Sequence, residues 1–333
     1  MASLKDIALA SNFSIPLVSK VLSGNMGTTG CSEATRKIIL DKAMELGYKP
    51  NLAARALRTG RSGAIGVFIH PYGETGSGLS EGLLKGLSLR ANACDHRLWL
   101  SFYETDHEFL QRFTKTARAE IDGLLIGGIV HPKLTRLHAA IEKNGIPIVT
   151  MFKNTQQDDM PGINVHCDDF QIGYLPTRHL LENGCRRIAH IHSYDPRYLG
   201  YLKALKDAGM PESPELVYNA SYQFDINAGV KAVKHWLQNK IKFDALVAES
   251  DHQAFGAINE LLKQGIRVPD DVKVFGVDDS PVCILSPVPI SSVSQRVEEI
   301  GVQAVNVLMK RINKEEVESI AIQPALSLRA STI

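Results

Sequence analysis

From Ala64 onward the chain repeats one pattern, a short apolar run followed by a stretch of helical periodicity. The first series reads AIGVFIH, a helix near Gly78 to Asn92, RLWLSF, a helix around Phe109 to Ala119, DGLLIGG, a helix ending at Lys143, and PIVTMF. The second reads GINVH, a helix from Phe170 to Glu182, RIAHIH, a helix through Tyr201 to Ala208, LVYNAS, a helix from Ala228 to Leu237, ALVAES, a helix to Lys263, and VKVFGV. Apolar runs without polar alternation are strands buried on both faces. Helices between them supply the right-handed crossovers that parallel strands need. Two series predict two doubly wound parallel sheets, and 333 residues is long for a single core.

The first sixty residues follow a different rule. In SLKDIALASNFSIPLVSKVLSGN, Ser3 is placed to cap a helix carrying Leu4, Ile7 and Ala8 at helical spacing, and Ser14 to cap a second with Pro16 in its first turn. At about 100° per residue the second helix sets Leu17, Val18, Val21 and Leu22 on one half, and Ile15, Pro16, Ser19, Lys20 and Ser23 on the other. A third run, SEATRKIILDKAMELGY, begins at a Ser32 cap and is expected to turn Ile38, Ile39, Ala43, Met44 and Leu46 inward. Three such helices can bury one small core, as in a helix-turn-helix domain or in a plain three-helix bundle.

Charge separates the two parts. Residues 1 to 60 hold eight Lys or Arg against four acids, a net of +4, which leaves −3 for the rest of a chain whose total is +1. A basic front on a mildly acidic body suits a polyanionic partner for the front alone. The five cysteines are scattered without C-x-x-C spacing, which speaks against a disulfide framework or a zinc site. The opening MASLKDIALAS has no export-signal pattern and no run reaches the length of a membrane span, so a cytoplasmic protein is expected.

Four motifs stand out: the opening L-K-D-I-A, the V-S-K-V-L of the second helix, the S-E-A-T-R that starts the third, and E-L-G-Y-K-P-N-L-A-A-R-A-L-R-T-G. Together they resemble the LacI family of bacterial transcription regulators. The resemblance implies a helix-turn-helix domain over 1–48, a hinge segment over 49–61 and an effector-binding, dimerising core over 62–333, similar to periplasmic sugar-binding proteins. Within that core it implies an N-subdomain of about 62–160 with 292–320, and a C-subdomain of about 161–291 with 321–333. By the same resemblance DNA contacts fall on Ser3, Leu4, Ser14, Ile15, Pro16, Ser19, Lys20, Ser32 and Thr35. In the hinge, Leu57 would enter the minor groove as a wedge, beside Asn51, Ala54 and Arg55. A nine-residue hinge helix is too short to persist alone and should form when held by a partner. The chain departs from the family pattern at Leu17, Lys20 and Ser23, and GNMGTTGC between the second and third helices is longer than usual. Lys20 donates as a point charge without a guanidinium fork.

In doubly wound sheets ligands sit beyond the carboxyl ends of the strands. Here those ends are His70 to Ser80, Gly127 and Gly128, Phe152, Asp168, His192 to Arg197, Glu249 to Asp251, and Asp278 with Asp279. The core resembles the same family through R-Y-L-G-Y at Arg197 to Tyr201, G-I-R-V-P-D-D-V-K-V-F-G-V-D-D at Gly265 to Asp279, and S-S-V-S-Q with the E-x-x-G ending at Gly301. That likeness implies an effector held by Arg197 and Asp278, with Ser250 and Asp251 at the family's Asn-Asp pair, Ser77 on the loop after the first strand, and Tyr72, Phe152 or Tyr194 as an aromatic platform. A carboxylate and a guanidinium suit a polyol, so a carbohydrate is the expected effector; a structural ion pair is the bland alternative.

The stretch GETGSGLS, Gly73 to Ser80, has the glycine spacing of a phosphate-binding loop, with Leu79 where a lysine would neutralise phosphate. It reads as the lip of a cleft, and a small-molecule kinase using this loop is the enzymatic alternative. No G-x-S-x-G elbow or H-E-x-x-H occurs, and no G-x-G-x-x-G follows a strand. His190 and His192 share one side of a strand but have no third ligand at a recognisable spacing, so neither metal nor cofactor is expected. The chain reads as a homodimeric repressor of near-palindromic DNA under effector control. A solute-binding receptor is the remaining rival, and such a receptor has no use for residues 1–60.

Overall fold

A computed structural model describes residues 2–23, 30–48, 60–70, 73–116, 121–128, 132–151 and 162–333. The chain separates into two compact units, Met1–Ser62 and Gly63–Ile333. The hinge residues Asn51, Ala54, Arg55 and Leu57, with Tyr72 and Phe152, lie outside the described residues.

The first unit is built of α1 (Leu4–Ser11), α2 (Ile15–Ser23) and α3 (Glu33–Glu45). Its core is Ile7, Ala8, Val18, Val21, Ile39 and Ala43. The expected inward set on α3 is too wide. Ile39 and Ala43 are buried, whereas Met44 is 78% exposed and Ile38 and Leu46 also face outward. Three short helices around so few side chains offer α3 only a narrow stripe, and Ile38 and Met44 fall about 100° to either side of it.

The second unit holds two six-stranded sheets. The first has the order β11-β5-β4-β3-β1-β2, from Ile320–Ile322, Ile163–Cys167, Ile148–Met151, Gly123–Gly127, Ala64–Ile69 and Arg97–Phe102, all parallel. The second has the order β12-β10-β9-β8-β6-β7, from Ala325–Ser327, Ser291–Ser294, Lys273–Val277, Ala245–Val247, Ile188–His192 and Val217–Asn219. It is parallel except for its antiparallel edge strand β12. Strand β1 shows why such runs are apolar throughout, since all six of its residues are buried. Ile65, Val67 and Ile69 pack toward the helices Leu79–Ala93 and Val297–Ile312, while Phe68 packs on the other face with Phe109, Phe113 and Ile141.

The strand assignment to lobes differs from the sequence reading. Ile163–Cys167, expected to open the second lobe, pairs in parallel with β4 and β11 in the first sheet. Ser291–Ser294, expected in the first lobe, pairs with β9 and β12 in the second, and Ile322 stays with the first. The chain therefore changes lobe at Asp168, at Gln295–Arg296 and at Gln323–Pro324. Strand–helix alternation is identical whether a crossover returns to its own sheet or leaves it, so the pattern carried no signal of the change.

Helix pairs on both sheets meet at glycines. A Cβ on Gly200 would stand 2.0 Å from the Phe170 carbonyl oxygen, and one on Gly301 would stand 2.6 Å from that of Leu83. These are the glycines of the R-Y-L-G-Y and E-x-x-G motifs, and close backbone approach is what they supply.

Candidate functional site

In the first unit each helix starts on a serine cap. The Ser3 hydroxyl donates to Asp6 Oδ2 at 2.8 Å and accepts from the Asp6 amide, and the Asp6 carboxylate accepts in turn from the Ser3 amide. These bonds hold the Asp6 carboxyl below its usual range. Ser14 Oγ accepts from the Leu17 amide, and Ser32 Oγ from the Thr35 amide at 3.1 Å, with the Ser32 and Thr35 hydroxyls 2.9 Å apart. Burial of Val18 and Val21 orients α2 so that Ile15, 45% exposed, and Pro16 face outward, with Ser19 and Lys20 half-buried beside them and Leu4 packed against the core.

The second lobe gathers buried charge at the carboxyl ends of its strands. Arg197, at the start of the helix Asp195–Asp207, donates from Nε to Asp169 Oδ1 at 2.9 Å and from Nη1 to the Glu249 carbonyl at 2.7 Å. Its guanidinium lies 5.9 Å from the centre of the Tyr194 ring. Asp278 has a positive φ of 113°, a region costly for a residue with a Cβ, and Asp279 follows at 56°. Asp278 Oδ1 accepts from Gln295 Nε2 at 2.6 Å. Burial, with the negative charge of Asp251 nearby, pushes its carboxyl up to about 8.

Three expected effector contacts are spent inside the protein. Ser250 caps the helix Asp251–Lys263, donating to the Phe224 carbonyl and accepting from the Gln253 amide. Asp251 is fully buried, and its two oxygens accept from the Ser292 hydroxyl at 2.6 Å and the Ser280 amide at 2.7 Å. Burial raises its carboxyl above the usual range. Ser77 is buried as well, its hydroxyl near the Leu79 amide. All three shape the rim from behind. Ser250 and Asp251 thus tie neighbouring segments of the second lobe together.

Leu79, at the position of a phosphate-loop lysine, is buried in the first-lobe core. Gly73, Gly76 and Gly78 all have positive φ, and Gly78 brings the lip close to Pro281 of the second lobe. The loop closes on protein.

His190 and His192 do have a third neighbour. Glu249 Oε1 lies 2.9 Å from His190 Nε2 and 3.7 Å from His192 Nδ1, although the sequence separates Glu249 from this pair by two α-helices and two strands. Despite burial, which opposes it, hydrogen bonding from the histidines holds the Glu249 carboxyl below its usual range; the same carboxylate raises His192. Asp169, Glu249 and Gln295 are functional neighbours that the motifs did not name. Strand-end position alone pointed to Glu249.

Residues 177–332 match the periplasmic binding protein-like domain. The HTH-type transcriptional regulator RegA of Clostridium saccharobutylicum is 29% identical over 341 residues, covering 99% of each chain. A structure of the transcriptional regulator CelR in complex with cellobiose is 26% identical, with a TM-score of 0.71 over 99% of this chain and all of that one. The lac repressor dimer bound to operator and the anti-inducer ONPF shares the fold at 20% identity, with a TM-score of 0.75 over 100% of this chain and 99% of that one. These relatives are transcription regulators, not enzymes. Among the described residues no helix is long and apolar enough to cross a membrane. With three capped helices ahead of two linked parallel-sheet lobes, the chain is similar along its whole length to such transcription regulators and shares the fold of the lac repressor.

Proposed function

We propose that the protein binds near-palindromic operator DNA as a homodimer and represses transcription under control of a small polyhydroxylated effector, a carbohydrate by preference. The observation that carries this reading is the orientation of α2. Burial of Val18 and Val21 turns Ile15, Pro16, Ser19 and Lys20 to one outward face, on a unit whose first 60 residues carry a net charge of +4. A helix so presented fits the major groove, where Ile15 and Pro16 can meet thymine methyls and Lys20 can donate to base edges. Ser3, Leu4, Ser14, Ser32 and Thr35 then stand at helix N-termini, where main-chain amides favour phosphate. Leu57 acts as the minor-groove wedge between Asn51, Ala54 and Arg55.

For the effector, Asp278 and Arg197 offer polar groups at carboxyl ends of the same sheet, after β9 and β6, with Tyr194 supplying an aromatic face and Tyr72 and Phe152 assigned to the same platform. The cellobiose in the CelR complex favours a sugar. Exposed Ile284 and Leu285 on the short helix Val282–Leu285, and Leu100 and Phe102 on edge strand β2, are apolar surface suited to a second copy.

The test is selection of bound sequences from random duplex DNA, repeated with pools of sugars and nucleosides. The expected result is one near-palindromic site whose enrichment changes with a single sugar class, with binding that falls steeply between about 50 and 200 mM salt. Leu57→Ala should weaken operator binding and spare effector binding. No sequence preference under any compound, or a flat salt response, sinks the reading.

A further inference from the structure

His190, His192 and Glu249 remain once Arg197 and Asp278 are assigned to an effector. The two histidines sit two residues apart on β6, so both imidazoles emerge on one side of the sheet, their ring centres 6.4 Å apart. Both rings are held in place. Tyr201 stacks on His190 at 4.6 Å and Tyr198 packs against His192 at 4.7 Å. Glu249 arrives from the end of β8, the strand paired with β6.

The polar atoms of this cluster do not satisfy one another. Among the described residues, His192 Nδ1 and Glu249 Oε2 are buried and make no hydrogen bond. On the far side of its ring, His192 Nε2 lies 3.2 Å from Asp195 Oδ1. A carboxylate there places the ring proton on Nε2 and leaves Nδ1 a bare lone pair. In the neutral ring that lone pair faces Glu249 Oε1 across 3.7 Å, so a positive charge, either a proton on Nδ1 or a cation between the two atoms, is what completes the contact. A metal cation there takes the place of that proton and can be bound by atoms that have no hydrogen-bond partner. A carboxylate behind a histidine is also the arrangement that orients metal-bound imidazoles.

The dimensions agree. One donor atom from each of His190, His192 and Glu249 falls within 4.8 Å of the other two. Tetrahedral zinc, with bonds of about 2.0–2.2 Å, holds its ligand atoms roughly 3.3–3.5 Å apart. Two imidazoles and one carboxylate suit zinc, cobalt or nickel, whereas calcium and magnesium call for oxygen-rich shells. Three protein ligands leave the fourth position of a tetrahedral ion to water, and the His192 side chain is 17% exposed.

We propose that His190, His192 and Glu249 bind a divalent transition-metal ion of the zinc class, with Asp195 orienting His192. The main-chain carbonyl of Glu249 accepts from Arg197, so the metal and the effector pocket share a residue, but the site does not depend on which effector binds.

The experiment is calorimetric titration of the chelator-stripped full chain with zinc chloride, paralleled by cobalt(II), whose visible spectrum reports tetrahedral nitrogen and oxygen coordination. One equivalent per chain is expected. Asp195→Asn should weaken binding about 10- to 100-fold and His192→Ala by more, while His166→Ala on the other sheet leaves it unchanged. Glu249→Gln should also lose the site; because Glu249 is buried, the partly exposed His192 decides if that variant fails to fold, with circular dichroism as the check. No saturable single site, or one that survives His192→Ala unchanged, overturns the proposal.

Discussion

The two lobes of the second unit share a plan, and they differ at the strand ends. Among the described residues, β1, β3, β4 and β5 of the first lobe end at Ile69, Gly127, Met151 and Cys167, and its lip is glycine-rich with Ser77 buried. The second lobe ends in His192, Glu249, Asp251 and Asp278, with Arg197 and Asp169 packed beside them. Buried charge costs stability unless every member is paired, and this lobe pairs most of its members through Ser280, Ser292 and Gln295. One lobe is therefore a charged and preorganised platform. The other ends in apolar residues and glycines.

The sharpest way to break this contrast is at Arg197. Arg197→Ala leaves Asp169 and the Glu249 carbonyl without their donor inside the lobe, and losing one partner of a buried pair costs about 3–5 kcal/mol. Denaturant unfolding of the second unit should show that loss. A change under about 1 kcal/mol would mean the platform is not held by this group.

Packing tests where the lobes are alike. Gly200→Ala drives a methyl onto the Phe170 carbonyl, and Gly301→Ala onto that of Leu83 with slightly more room. Each should cost about 1–3 kcal/mol, Gly200 the more. Equal stability to the parent at either position would contradict the close helix contact. These glycines were legible in the sequence as motif letters, but not as packing. A motif shows which residue recurs, while the reason lies in a helix that the same stretch of chain does not contain. The limits of legibility elsewhere are of the same kind. Ser3 and Ser32 were readable as caps because a cap and its target are three residues apart. Glu249 was not readable as the partner of His190, since only the pairing of β6 with β8 joins them. Nor could alternation tell which sheet Ile163–Cys167 would enter, because both sheets bury their strands on both faces.

Titration should distinguish the lobes as well. An aspartate has an unfolded value of about 3.9, and Asp278 in the folded chain stands at about 8. The folded state thus holds a proton that the unfolded state gives up between these values. Stability from this group is complete below about pH 4 and is lost as pH rises through 8. Asp278→Asn removes the group, so its stability curve should be flatter across that window and should exceed the parent's above pH 8 by at least about 1.4 kcal/mol, the worth of one pK unit. Parallel curves for parent and variant would show that Asp278 is ionised throughout.

The smallest expected effect separates the first unit from both lobes. Ser32 caps α3 through the Thr35 amide, and replacing such a cap by alanine costs about 1 kcal/mol. Among the described residues six buried apolar side chains form the core of the bundle, so that loss is a large share of what holds it. Because the bundle is a compact unit of its own, Ser32→Ala should lower its melting transition and leave that of Gly63–Ile333 in place. Differential scanning calorimetry of the full chain reads both at once. A joint shift of the two transitions would mean that the units fold as one cooperative body, and operator binding would then draw on the stability of the lobes as well as on three short helices.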